Sequence, residues 1–577
     1  MAASEPSSPY VRAEGAAASS SLSPVRPTES DRALSLFSRA LVGAGVGAVS
    51  GLLVKVFKVA LDVLLELLWV RVPEMLEGLG WTSEAPFGLC NYTWLMGGVL
   101  GALVGALAAH LLTEAAVPTL GVWVRELHGQ LGCPLAGPWL ASLFLLGLLT
   151  ALSGASVGPE PIVVIVPSVL SGAFARHRMK QPPPVVRAIA LAGGAGGLSA
   201  FFGLPLASAF MVLEVPHMDG ADFALEALPA CLMASLTGAV FGDCIWHPAS
   251  LLGNSRMWFP GGDPPGGVVS HAFGMGAIAF APAAGLLGGA ATHMLVAAMK
   301  SLHRPFHRLK HGNGQRRRWR CAVVLAAVGS ANGALAMVYP SAQWWGEEQL
   351  QVVLTRGCAA VHNLTTCQPF DLPHWYPGLA SSVAIQATPG HPMSVLAMVG
   401  LGCMKLLMIS LCEAGGFIGG AIYPAIFMAG SLGSALGALP AIESLGGQFV
   451  YLSTAASMSV ALAALLNTHL FGVLLVVVLQ ANIPHGTTSS QIIALMMAVF
   501  VHYALTRKLV TPCLNLIAPQ KPRSDLTYLE TEQLCQELPT SRSPSDSEVL
   551  PTSDSRSDSE VSSAASGSED ECSVSEV

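Results

Sequence analysis

The chain has 577 residues, 52% hydrophobic and 11% charged, with 60 glycines and a mean hydropathy of +0.56, a balance far too apolar for an ordinary soluble domain and typical of a polytopic membrane protein. The net charge of −7 is a property of one end: residues 519–577 hold 13 acidic and 4 basic residues, a net −9, which leaves the rest at +2 and gives no reason to expect a nucleic-acid partner. The 12 cysteines form no Cys-x-x-Cys pair, and Cys231, Cys403 and Cys412 sit inside apolar runs, so no metal or redox centre and no cofactor is expected.

In chain order, residues 1–35 are rich in Ser, Pro and Ala and have neither the charged nor the apolar region of a signal peptide, so they are expected to be disordered, with insertion driven by the first apolar helix. Apolar stretches then recur at Trp94 to Leu112, Pro138 to Gly158, Ala188 to Leu213, Gly274 to Met299, Ala322 to Val338, Val395 to Met404, Phe417 to Pro440 and Tyr451 to Ile483. Roughly 20 residues cross a bilayer core, so about ten or more membrane helices are expected within residues 36–515, several of them short or broken. Gly43/Gly47/Gly51, Gly97/Gly101/Gly105 and Gly285/Gly289 recur every four residues, which places small residues on one helix face for close packing. Gly193-Gly194-Ala195-Gly196-Gly197 has no preceding strand and no following Lys-Ser/Thr, so it reads as helix packing and not as a nucleotide loop. His217, His271 and His293 lack ligand spacing.

Lys300 to Arg320 carries eight basic residues and no acid between two apolar segments, which puts this turn, and with it both termini, in the cytoplasm. The sequons at Asn91 and Asn363, and a disulfide between Cys358 and Cys367, would then fall on the opposite side, where glycosylation and oxidation are available. Residues 516–577 form an acidic, Ser-rich tail with a repeat, Ser545-Asp546-Ser547-Glu548-Val549 and Ser557-Asp558-Ser559-Glu560-Val561. A solvated disordered tail is the simpler reading; a phosphorylation tail ending in a Ser575-Glu576-Val577 ligand for a carboxylate-binding partner is the sharper one.

The most informative residue is Glu160, a carboxylate in Gly154-Ala155-Ser156-Val157-Gly158-Pro159-Glu160-Pro161, flanked by apolar runs on both sides. An ionisable group at that depth marks a functional path. A second Gly/Pro-interrupted stretch, Gly415 to Pro424, occupies the corresponding place in the other half of the apolar region. Paired breaks of this kind mark the binding site of an inverted-repeat transporter, and the free N–H groups of restarted helices suit a small anion.

At these residues the chain resembles the CLC family of chloride channels and proton-coupled chloride exchangers. Lys405, Gly416, Gly419, Gly420 and Pro424 follow the family run of a Lys, an apolar helix and Gly-x-x-Gly-Gly-x-x-x-Pro. Gly158, Pro159 and Glu160 match the family's Gly-Lys/Arg/Pro-Glu-Gly-Pro, with Pro161 and Ile162 where Gly and Pro are expected, and Phe202-Gly203-Leu204-Pro205-Leu206-Ala207 running on to Glu214 is a third match. The resemblance spans roughly residues 41–505 and implies an all-α polytopic membrane protein, a CLC-like inverted-repeat bundle of tilted and broken helices in a lipid bilayer, assembled as a homodimer with one pore per subunit.

The resemblance also implies roles. Glu160 takes the place of the gating glutamate, which occupies an anion site and vacates it when protonated. Gly158 and Pro159, with Gly419, Gly420, Ala421 and Ile422, take the place of the anion-coordinating backbone. Pro118, in Ala116-Val117-Pro118-Thr119-Leu120-Gly121, falls at the Ser position of a degraded Gly-Ser-Gly-Ile-Pro-Glu motif, where some nitrate-handling plant relatives also have Pro. Glu214 and Pro424 are assigned to the structure of the pore, and Val215 stands where proton-coupled members usually carry a second, inner glutamate. Lys405 is expected to snorkel or to pair with a carboxylate. No match to the family's pore tyrosine or to its C-terminal regulatory domains is found. The leading expectation is therefore a channel for chloride or a similar anion. A proton-coupled chloride or nitrate antiporter and a transport-inactive scaffold with a regulatory tail stand as alternatives, and no enzymatic constellation can be assembled.

Overall fold

The structure, a computed structural model, describes residues 29–79, 92–112, 120, 123–124, 127, 138–215, 221–244, 274–312, 314–346, 349–350, 353, 356, 393–479 and 488–506. Pro118, His217, His271, the sequons at Asn91 and Asn363, the Cys358 and Cys367 pair and the acidic tail lie outside the described residues.

Apolar composition without alternation makes the described chain helical, and eight helices are long and apolar enough to cross a membrane, with four shorter apolar ones among them. The first half runs α1 (Glu29–Glu66), a π-helical turn (Leu67–Arg71), α2 (Val72–Gly78), α3 (Tyr92–Leu111), α4 (Pro138–Leu152), α5 (Glu160–His177), α6 (Pro183–Phe202), α7 (Pro205–Glu214) and α8 (Ala221–Ala239). The second half runs α9 (Met275–Lys310), α10 (Gly314–Val338), α11 (Val395–Gly415), α12 (Ile422–Gly437), the single turn α13 (Pro440–Glu443), α14 (Gly447–Leu466), α15 (Leu470–Leu479) and α16 (Thr488–Leu505).

The pairings repeat between the halves. Helix α1 packs on α6 and α8, as α9 packs on α14 and α16; α5 lies against α6, as α12 lies against α14; the ten-residue helices α7 and α15 touch each other across the middle. The strongest contact between halves joins α3 to α10. This is the inverted-repeat bundle of broken helices that the paired motifs imply.

Small residues set the helix spacing. Gly43, Gly47 and Gly51 of α1 lie against backbone atoms of Ala230, Ala234 and Gly238 of α8, and Gly97, Gly101 and Gly105 of α3 lie against those of Gly329, Leu325 and Cys321 of α10. No side chain fits between such backbones, so van der Waals packing, not apolar burial from water, holds these pairs together. Gly193 to Gly197 lies inside α6, where Gly196 faces Gly47 and Ala234 and Gly197 faces Val163 and Pro167. That run is a packing surface.

Candidate anion site between two broken helices

Helix α4 ends at Leu152, and Gly154 takes a left-handed φ of 74° that a side chain would strain. The chain restarts at Glu160, with Pro159 at the N-cap and Pro161 in the first turn, where a missing N–H costs nothing. In the second half, Gly416 (φ 98°) ends α11: its N–H donates to Glu413 O at 3.0 Å and that of Phe417 to Cys412 O at 3.1 Å, the Schellman arrangement. Helix α12 restarts at Ile422 with Ala421 as an N-cap that offers no side-chain acceptor.

The two breaks meet. Gly158 N donates to Gly420 O and Gly420 N to Gly158 O, each at 2.7 Å, a reciprocal pair that clamps one half's restart onto the other's. Glu160 is fully buried there, and its Oε1 accepts the Tyr423 N–H at 3.0 Å. A carboxylate from the first half thus sits on the N-terminus of α12 in the second, where partial positive charge favours an anion. Thr150 of α4 reaches the same junction, its Oγ1 accepting from Ile418 N at 3.3 Å. Gly158, Pro159, Gly419, Gly420, Ala421 and Ile422 are all brought to this junction, and Pro424 lies in the first turn of α12.

Glu214 is elsewhere. Its carboxylate accepts from Leu470 N at 3.0 Å and Phe471 N at 2.8 Å, so it caps α15, and Val215 behind it is fully buried.

Lys405 corrects an expectation. It does not snorkel, and among the described residues no carboxylate pairs with it: it lies in the middle of α11 with no exposure, its Nζ donating to Ala342 O at 2.9 Å and Trp344 O at 2.5 Å and standing 5.1 Å from the centre of the Phe427 ring. Its partners arrive from residues more than sixty positions away, which the helix register could not reveal. The same turn, 340–346, braces the first break. Trp344 N donates to Gly154 O at 3.3 Å, and Asn332 Nδ2 of α10 donates to the same oxygen at 2.8 Å. Ser156 Oγ donates to Ala342 O at 3.4 Å. Asn332, a lone amide in the apolar run of Ala322 to Val338, was the one sequence signal that pointed to this brace. Around it the aromatic contacts of Trp344 with Trp69, centroids 5.0 Å apart, and of Phe202 with Tyr423, 4.5 Å apart, close the site.

Residues 100–507 match the family described as Voltage gated chloride channel. The chain belongs to the CLC family. Among its relatives are the chloride channel protein CLC-e of Arabidopsis thaliana, 24% identical over 397 residues, 68% of this chain and 48% of the plant protein. The putative ion-transport protein YfeO of Salmonella choleraesuis is 23% identical over 405 residues, 70% of this chain and 81% of the bacterial one. The chain thus spans about half the length of the plant CLC protein and most of the bacterial one. Among solved structures, a slow cyanobacterial Cl-/H+ antiporter superposes with a TM-score of 0.56 at 16% identity, covering 84% of this chain and 99% of that one. A CLC-type fluoride/proton antiporter superposes with a TM-score of 0.54 at 16% identity, covering 83% and 96%. These likenesses show the CLC fold, a multi-pass bundle of membrane helices.

Proposed function

We propose that this CLC protein passes chloride or a similarly small anion through the junction of its two broken helices, with Glu160 as a protonatable gate and the protein acting as a channel. One observation carries the reading: the fully buried Glu160 carboxylate accepts the Tyr423 N–H, so the acid holds the place at the α12 N-terminus that an anion would take. Protonation removes the charge that the amide and helix terminus attract, and the side chain yields the place to the passing ion. Val215, buried and apolar, offers no inner carboxylate for a proton to pass through, which favours a channel. The unit we propose is a homodimer in the bilayer, one pore per subunit, with the basic turn of Lys300 to Arg320 and both termini in the cytoplasm.

Proton-coupled antiport is the second reading, favoured by the two solved relatives that are antiporters for chloride and fluoride. The test is efflux from chloride-loaded liposomes with external pH recorded together and a potassium ionophore clamping the voltage. Chloride flux without proton movement is the expected result; flux that drives protons against their gradient replaces the channel by the antiporter, and no flux of chloride or nitrate removes both. In the same assay Glu160→Gln, whose amide resembles the protonated acid, should abolish the pH dependence of flux.

A further inference from the structure

The end of the α9–α10 hairpin is a strongly charged surface that the anion site does not use: Lys300 to Arg320 carries eight basic residues and no acid. Lys310 is turned inward, its Nζ donating to Gly415 O at 3.0 Å, whereas Arg304 and Arg308 of α9 and Arg316, Arg318 and Arg320 of α10 are exposed. Arg304 and Arg308 stand four residues apart, as do Arg316 and Arg320, so each helix holds two like charges side by side on one face, where they repel. Arg320 donates to His311 O across the turn, which brings the two helix ends together. Among the described residues the side chains of Arg304, Arg308, Arg316 and Arg318 meet no hydrogen-bond or ion-pair partner. Orientation across a bilayer asks only for positive charge somewhere in the turn, and does not account for paired arginines on both helices.

Two apolar side chains stand among these arginines. Leu309, 57% exposed, follows Arg308, and Trp319, 66% exposed, lies between Arg318 and Arg320 just before the apolar run of Ala322 to Val338. A tryptophan there suits the boundary between hydrocarbon and headgroups. The length of α9 agrees: its 36 residues rise about 54 Å, and at a tilt of about 40° still cover about 41 Å, the thickness of a bilayer with both headgroup layers. The helix therefore leaves the hydrocarbon before its basic end, and the arginines of the hairpin emerge at the level of lipid phosphates.

We propose that the end of the α9–α10 hairpin is a binding surface for a membrane lipid whose headgroup carries several negative charges, a phosphorylated inositol lipid by chemical class. Guanidinium groups match phosphate oxygens in a two-pronged fork, and basic sites beside membrane helices hold such headgroups. A polyanionic headgroup placed across the two adjoining helix ends offsets the repulsion within both arginine pairs at once, which a singly charged lipid cannot do. Leu309 and Trp319 then lie against the glycerol and upper acyl region of the same molecule, and this apolar contact selects a lipid over a soluble phosphate compound.

The test is native mass spectrometry of the full-length protein in detergent, titrated with short-chain phosphatidylinositol bisphosphate, with unphosphorylated phosphatidylinositol of the same acyl chains, and with chain-free inositol trisphosphate. The bisphosphate lipid should bind at least about tenfold more tightly than either of the others, and its binding should weaken as salt is raised. Replacing Arg304, Arg308, Arg316 and Arg318 together by Gln, all at exposed positions, should lower its affinity about tenfold or more. Removing three charges from the exposed turn after α5, with Arg176→Gln, Arg178→Gln and Lys180→Gln, should leave the affinity as in the wild type. Trp319→Ala should weaken the lipid and leave inositol trisphosphate unchanged. No preference of the wild type for the bisphosphate lipid over phosphatidylinositol overturns the proposal without any variant, as does inositol trisphosphate binding as tightly as the lipid. An unchanged affinity in the four-arginine variant, or an equal loss in the α5 variant, overturns it as well.

Discussion

The two helix breaks are built for the same geometry with opposite chemistry. Both end a helix on a left-handed glycine, Gly154 or Gly416, or within two residues of one, and both restart without a side-chain cap, at Glu160 and Ile422. The first carries its own anion in Glu160 and is braced by neutral donors, Asn332 Nδ2 and Trp344 N, on Gly154 O. The second carries no acid in its restart, offers the Tyr423 amide, and is preceded by the buried Lys405. The lesson is that a repeated fold supplies two helix N-termini, and that sequence divergence between the repeats gives one a buried carboxylate and leaves the other the backbone amide that carboxylate occupies.

That comparison can be broken from either side. The largest effect is expected from Gly158→Ala, because a Cβ there collides with the Glu160 carboxylate itself. Losing its hydrogen bond to an ionised acceptor costs about 1.5–3 kcal/mol, so anion flux at high pH, where the plug should be seated, should rise about tenfold or more toward the Glu160→Gln level. Gly420→Ala attacks the same carboxylate from the second half, its Cβ lying 2.7 Å from Glu160 Oε2 and 3.1 Å from Pro161 Cδ. Because the carboxylate is approached from one side only, its flux increase should be the smaller of the two. Equal fluxes from wild type and both alanine variants would mean that the carboxylate does not plug the path.

Asn332→Ala removes one of the two donors on Gly154 O and leaves that buried carbonyl to the longer bond from Trp344 N. The expected cost is about 1–3 kcal/mol of stability, read as a lower melting temperature of the purified protein, with a modest loss of flux. The smallest functional effect is expected at Glu214→Gln. One of the two amide bonds at the start of α15 weakens, costing about 1 kcal/mol, and the pH dependence of flux stays as in the wild type. A shifted pH profile in that variant would move part of the gate from the α12 junction to the α7–α15 contact.

Much of this architecture was legible before the structure, for reasons that differ by residue. Glu160 stood out because a carboxylate inside an apolar run has few structural excuses, and Gly415 to Pro424 stood out because Gly and Pro cannot continue a helix there. The four-residue glycine stripes announced close helix contacts, although which backbones they meet, Ala230 for Gly43 or Gly329 for Gly97, is set by tertiary pairing alone. Lys405 was misread for that same reason: a lysine's sequence neighbours do not tell whether carbonyls of a distant turn will converge on it. Thr150 gave no signal at all, since one hydroxyl in α4 looks like any other membrane Thr until Ile418 N is found beside it.

The central claim is that the Glu160 carboxylate and a transported anion compete for one place at the α12 N-terminus. The measurement that meets it most directly is the infrared titration of Glu160 in liposomes at low and at high chloride, with ionic strength held constant by an anion too large to enter. Competition predicts that raising chloride displaces the carboxylate from its amide and moves its protonation to higher pH. A Glu160 titration that ignores chloride concentration would place the acid and the anion at separate positions and contradict the account.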